Sequence, residues 1–350
     1  MLFKRGGRYA MNQLEIEQQL DKLSEQTESD IEEVFNKRLQ EILKQIAGMY
    51  AKYSKDNEIS WTDVNKYNRY RKEMNLIKKE LNKDYRKIIK KLQKSNENIY
   101  LEGYLLSSYL YEMSTGQDMG FSIPSVKTIK DVLLNPIAEL TLPKIFENHR
   151  NEIVRKIKIE LAQGIQAGEG YATMAKRIEK TVKFSQYKAR TVARTEGARA
   201  RSISAEKSEE QASKHVDITG VWLSSLDTKV RLSHRALDGE ETNAEGYFTY
   251  GPNKATAPLL WIGPQSASLT INCRCVKLRK INNMIPAYRR GRNYMDLSFQ
   301  QKLADRIEKY MADDGFTYKQ ALKRAEKEIQ PPSVTFEYIT YDDWFKKYAS

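Results

Sequence analysis

The sequence predicts an α+β protein. A mainly α-helical N-terminal region, built on a long helical hairpin, comes first, followed by a small α+β module and a helical C-terminal appendix. Three observations predict this. Apolar residues recur in threes and fours over much of the chain before residue 186. Clusters of β-branched and aromatic residues broken by glycine turns concentrate between residues 216 and 280. Charged residues make up 30% and apolar ones 40%, a balance that suits long, partly solvated helices better than one large core.

The 350 residues allow more than one domain and a real buried core. The expected divisions are a flexible arm over 1–28 that becomes helical near Leu14, long basic helices over 29–116, a helical connector over 117–185, the α+β module over 186–282 and the appendix over 283–350. In the first long helix, Ser29 and Glu32 offer a capping box as its start. Ile31, Phe35, Leu39, Ile42, Ile46, Met49 and Tyr53 then share one stripe.

A second helix is expected from near Ser60 or Thr62, with a stripe of Tyr67, Tyr70, Met74, Ile77, Leu81, Tyr85, Ile88 and Leu92. The polar run 95–98 reads as a break before a third, tyrosine-rich helix that ends near Gly116. Helices follow over 126–139 and 142–164, a short one over 172–180, and a basic one over 185–213. Residues 216–226, 247–250, 259–262 and 273–278 read as strands, and 227–234 as a short helix. Two amphipathic helices, 299–312 and 319–329, precede an aromatic tail that could dock on a partner or on the chain's own body.

The net charge of +13 favours polyanionic partners such as nucleic acid, though solubility alone would also account for it. Candidate DNA-contacting residues are Lys78, Lys79, Arg86, Lys87, Lys90 and Lys91, with Arg190, Arg194, Arg199 and Arg201 on the later basic helix. The plainer reading of the first set is a solvated helix face. Arg194 and Glu196 either pair locally along their helix or turn inward and tie it to the module. No run of apolar residues is long enough to span a membrane, and the N-terminal stretch lacks the apolar segment of a secretory signal. Two cysteines one residue apart are no disulfide framework and suit a reducing compartment.

His234, Cys273 and Cys275 form the densest set of potential ligands, and two thiolates with an imidazole would suit zinc. Asp227 or Asp238 would have to supply a fourth ligand. The alternative is two buried thiols beside a hydrogen-bonded histidine. A Cys–His nucleophilic pair finds no support in an activating motif, and the paired acids 240–241 and 342–343 point apart, so no enzyme and no cofactor beyond zinc is expected.

An ordered set of motifs resembles the phage Mu F-like head morphogenesis family. It comprises Ala193-Arg194-Thr195-Glu196, then Trp222, Ser224, Asp227, Val230, Arg231, His234, Leu237, Asp238 and Gly239, and finally Asn272-Cys273-Arg274-Cys275. The resemblance covers residues 150–280. It implies a minor head protein of a tailed phage, in the capsid interior near the portal and in the host cytoplasm during assembly. It further implies the portal protein, double-stranded DNA and capsid or scaffold proteins as partners, a part in packaging or ejection, and no catalytic residue. Arg194, Glu196, Trp222, Asp227, Arg231, His234, Asp238, Gly239, Asn272, Cys273 and Cys275 are then fold-defining. Two rival readings remain: a metal-binding DNA-processing protein, and an ejected protein that acts on membranes through its amphipathic helices.

Overall fold

The structure is a computed structural model that describes residues 4–5, 8–9, 13–55, 58–59, 62, 68–134, 141–282, 288–337 and 339–348. Two short antiparallel pairs, β1 (Lys4–Arg5) with β2 (Arg8–Tyr9) and β3 (Ser54–Lys55) with β4 (Glu58–Ile59), flank the first helix.

Four long helices carry the N-terminal half: α1 (Gln13–Tyr53), α2 (Arg69–Thr115), α4 (Leu142–Gln166) and α5 (Tyr171–Ala212), with the short α3 (Val126–Leu133) between α2 and α4. Their apolar stripes meet in one core that includes Ile31, Phe35, Ile46, Ile77, Tyr85, Ile88, Phe146, Ile157 and Ile178. Partners descend along α2 as they ascend along α1: Asp30 meets Lys91, Arg38 meets Asp84 and Gln45 meets Glu73. The expected hairpin therefore forms, and α4 and α5 complete an up-down-up-down bundle around it. Two glycines permit close approach. A Cβ at Gly103 would collide with Ser204 across the α2–α5 contact, and one at Gly197 would crowd Ser24 of α1.

Helix ends differ from expectation in three places. No helix begins at Ser29, because α1 is already helical from Gln13. The onset expected near Leu14 is met at Gln13, and packing of the buried Ile16 and Leu20 carries that helix unbroken through Ser29. The expected break at 95–98 is absent, since Ser95 Oγ meets Thr27 Oγ1 at 2.5 Å while Ile99 and Tyr100 continue the stripe. The short helix over 172–180 and the basic helix are one, α5, whose stripe of Met174, Ile178, Val182 and Ala189 runs unbroken. The expected start near Ser60, Tyr67 and the end of the 126–139 helix lie outside the described residues.

The module pairs β5 (Ile218–Leu223) antiparallel with β9 (Val276–Ile281), placing Trp222 opposite Lys277. Between them lie α6 (Leu232–Ala236), the meander of β6 (Phe248–Tyr250), β7 (Asn253–Ala255) and β8 (Trp261–Ile262), and α7 (Ser266–Thr270). The short helix thus begins later than expected, at Leu232 rather than residue 227, because residues 227–231 are held in an Asp227-capped turn. The last strand begins at Val276, past both cysteines, since Asn272 takes a left-handed backbone (φ 58°) that bends the chain there.

β10 (Tyr288–Arg292) and β11 (Ser333–Glu337) pair antiparallel on either side of α8 (Leu297–Asp314) and α9 (Tyr318–Glu328). The aromatic tail forms α10 (Tyr341–Tyr348) and docks on the chain's own body, where Trp344 and Tyr341 are buried against Leu226. Among the described residues no helix is long and apolar enough to cross a membrane.

Candidate functional site

The motif residues converge where α5, the module and α10 meet. Trp222 anchors the module core. It is fully buried and packs edge-to-face on Phe248 and His234 and tilted on Trp261, at centroid distances of 5.2, 5.4 and 5.5 Å. The Asp238-Gly239 turn follows α6. Gly239 takes φ 86°, which favours glycine, and its N–H donates to the Trp222 carbonyl at 2.8 Å.

Asp227 and Asp238 are structural acceptors. Asp238 receives the Ser224 N–H (2.8 Å) and the Tyr341 N–H (2.9 Å), joining the module to α10. Asp227, 1% exposed, receives the Lys229 N–H and pairs with Arg274 at 2.7 Å. Neither aspartate belongs to the metal-competent group, which among the described residues consists of His234, Cys273 and Cys275. The fourth ligand expected from Asp227 or Asp238 is therefore not supplied, because both carboxylates are spent on backbone and guanidinium donors.

His234, Cys273 and Cys275 do come together. Each is 2% exposed, and their ligand atoms lie within 4.8 Å of one another. The two sulfurs lie 3.5 and 3.4 Å from His234 Nδ1, and the Cys275 N–H donates to Cys273 Sγ. Burial pushes the Cys273 thiol up, but hydrogen bonds from Cys275 and the nearby Arg231 and Arg274 charges outweigh it and hold it below the usual thiol range. Burial and the neighbouring Cys273 push Cys275 well above that range. Arg231 donates to the Ile271 carbonyl, and Asn272 N–H donates to Thr195 Oγ1 at 3.0 Å, which seats the cysteine segment on α5.

The basic residues divide into two groups. Lys78, Lys79, Arg86, Lys87 and Lys90 on α2 are exposed, and among the described residues none of them has a salt bridge, whereas Lys91 pairs with Asp30 at 2.7 Å. The α5 arginines are turned inward, contrary to their expected place on a DNA-facing surface. Arg201 lies 2.8 Å from Glu17 and 2.7 Å from Asp21, and Arg194 lies 2.5 Å from Glu28. Arg190 reaches Glu32 at 2.8 Å, and Arg199 pairs with Glu196 at 3.0 Å and donates to the Leu133 carbonyl. Of the two readings of Arg194 and Glu196, Arg194 turns inward, bonding Asn272 as well as Glu28, while Glu196 pairs within its own helix.

Sequence reasoning missed the acids that hold these arginines. Glu17, Asp21 and Glu28 are spaced by four and seven, as are Arg190, Arg194 and Arg201. Matching stripes of opposite sign on two antiparallel helices were the available signal. It also missed a buried quartet in which Lys277 and Arg279 of β9 meet Glu206 and Glu209 of α5 at 2.7–3.0 Å.

Beside these elements lies a cavity of about 750 Å³. Its walls include Glu28, Arg194, Arg201, His234, Cys273 and Cys275.

Residues 155–278 match the family described as phage Mu protein F like protein. The chain is 40% identical over 284 residues to the minor head protein GP7 of Bacillus phage SPP1, covering 80% of this chain and 91% of that protein. It is 27% identical over 206 residues to the NAD(+)–arginine ADP-ribosyltransferase EFV of Enterococcus faecalis, covering 56% of this chain and 41% of that one. No solved structure matches the chain.

Proposed function

We propose that this chain, which belongs to the phage Mu protein F like family, is a minor head protein that acts in head morphogenesis of a tailed phage. It sits inside the head near the portal, binds the portal protein, and holds double-stranded DNA without sequence preference during packaging or ejection. The observation that carries the reading is the 40% identity to a minor head protein across 80% of the chain. The ADP-ribosyltransferase shares only 41% of its length with this chain.

The DNA contact is assigned to α2. With the α5 arginines held by acids, the exposed candidates that remain are Lys78, Lys79, Arg86, Lys87 and Lys90. If all of them neutralise phosphates, the logarithm of affinity falls against the logarithm of salt with a slope of about −4 to −5. Pull-down with the portal protein of the same phage tests the main reading. Co-purification that survives nuclease treatment is expected, and failure of the two proteins to associate in any buffer would overturn it. For DNA, a duplex of arbitrary sequence is expected to shift at low salt and to stop shifting when Lys78, Lys79, Arg86, Lys87 and Lys90 are changed to Glu. An unchanged shift would remove α2 from the interface.

A further inference from the structure

His234, Cys273 and Cys275 are not among the residues assigned above to DNA contact, and among the described residues they form a closely grouped set of soft donors. Zinc binds imidazole nitrogen at about 2.0–2.1 Å and thiolate at about 2.3 Å, and tetrahedral angles then set each N···S separation near 3.6 Å. The observed separations from His234 Nδ1 are 3.5 Å and 3.4 Å. A hydrogen-bonded cluster explains the pair less well. Nδ1 carries either one lone pair or one hydrogen, so it makes one good bond and cannot serve two sulfurs equally.

We propose that His234 Nδ1, Cys273 Sγ and Cys275 Sγ hold one zinc ion whose fourth position faces the adjoining cavity and is filled by water or a small exogenous donor. On binding, the two thiols release their protons to solvent, and two thiolates cancel the charge of the cation. The ligand set is then neutral, as a site whose three residues are each 2% exposed requires.

The surroundings fix the ligands from several sides. The Ser224 hydroxyl donates to the His234 carbonyl at 2.6 Å and holds α6 against the end of β5. The Cys275 N–H donates to Cys273 Sγ at 3.4 Å, the kind of outer-shell bond that orients a thiolate. Trp222 packs on the imidazole at 5.4 Å and limits its rotation. The left-handed turn at Asn272 brings two cysteines, one residue apart, to the same ion.

The open position follows from what the neighbours already do. Asp238 is taken by the Ser224 and Tyr341 amides, and Asp227 by the Lys229 amide and Arg274. Three protein ligands with one exchangeable position distinguish this centre from the four-ligand sites that only brace a fold. All three ligands border the cavity of about 750 Å³, which gives a small donor a way in. This inference does not depend on the head-protein reading.

The test uses the full chain, purified without a metal-binding tag and reconstituted with zinc. Elemental analysis is expected to find about one zinc per chain, and less than about a tenth in Cys273→Ser or Cys275→Ser. Because a variant could lose zinc by unfolding, the unaltered protein is also reconstituted with cobalt. Thiolate-to-cobalt charge-transfer absorption and the visible bands of a tetrahedral ion are expected, and added azide should shift the visible bands. A zinc-free protein after reconstitution, or a Cys273–Cys275 disulfide by mass spectrometry, overturns the site. Cobalt bands indifferent to azide and cyanide overturn the open position.

Discussion

The helical bundle and the α+β module are held by different means. In the bundle, four long helices each contribute an apolar stripe, so burial is spread over many side chains. In the module, short strands and loops surround a few large groups, and Trp222 alone touches His234, Phe248 and Trp261. Between the two, a charged seam runs beside an apolar patch: Glu206 and Glu209 of α5 face Lys277 and Arg279 of β9, while Tyr111 and Ala212 cluster with Ile281. A distributed core tolerates the loss of any one residue. A concentrated one does not, and a defect in the charged seam itself is felt on both sides.

Four substitutions would break or sharpen this contrast. The largest effect is expected from Trp222→Ala, at about 3–5 kcal/mol, because a fully buried aromatic leaves a cavity that short strands cannot close. Urea unfolding followed in parallel by near-ultraviolet and far-ultraviolet circular dichroism reads it. The near-ultraviolet transition should move earlier than the far-ultraviolet one, and a common shift would show one cooperative unit instead of two.

Arg279→Met should cost about 3 kcal/mol, since Glu206 and Glu209 would then share Lys277 as their remaining cation in a buried seam. Here both transitions should move together. Restoration by Glu206→Gln in the Arg279→Met background would confirm that the loss is uncompensated charge rather than lost packing.

Ile88→Val in the bundle should cost about 1 kcal/mol, as one methylene among many. A loss several times larger would mean that the bundle core is as concentrated as the module's.

The smallest effect concerns acid. Hydrogen bonds from Lys188 and Lys156 hold the Glu152 carboxyl down to about 2, from its ordinary 4.5. A depressed carboxylate contributes stability that is present above 4.5 and lost as pH falls toward 2. Glu152 is a third exposed and screened, so the contribution is below about 1 kcal/mol. Glu152→Gln should lower stability slightly at neutral pH and leave it almost unchanged near pH 2, flattening the acid side of the profile, as thermal melts across that range would show.

Legibility follows the same division. The stripe from Ile31 to Met49 and that from Tyr70 to Leu92 are buried as their spacing requires, because a helix converts sequence period directly into one face. Helix ends were less legible. Local polar signals at Ser29 and at residues 95–98 were overridden by packing from Leu20 and Tyr100, each worth more than a cap. In the module, Phe248–Tyr250 matched its expected strand, whereas Asn253–Ala255 and Ser266–Thr270 were not expected at all. Their residues carry no strong propensity, and their neighbours decide their state.

By itself the sequence determined the helical front, the amphipathic faces, the order of the motif residues and the closeness of two cysteines along the chain. Tertiary structure alone decided which charges are available. Composition cannot tell an arginine facing water from one facing a carboxylate. Arg194 meets Glu28 from 166 residues away and Arg201 meets Asp21 from 180, so the basic helix became an internal seam. The same holds for the candidate centre. His234 lies 39 and 41 residues from the two cysteines, and only the pairing of β5 with β9 and the turn at Asn272 bring the three together. Periodicity is a property of neighbours along the chain, while desolvation and ligand geometry are properties of neighbours in space.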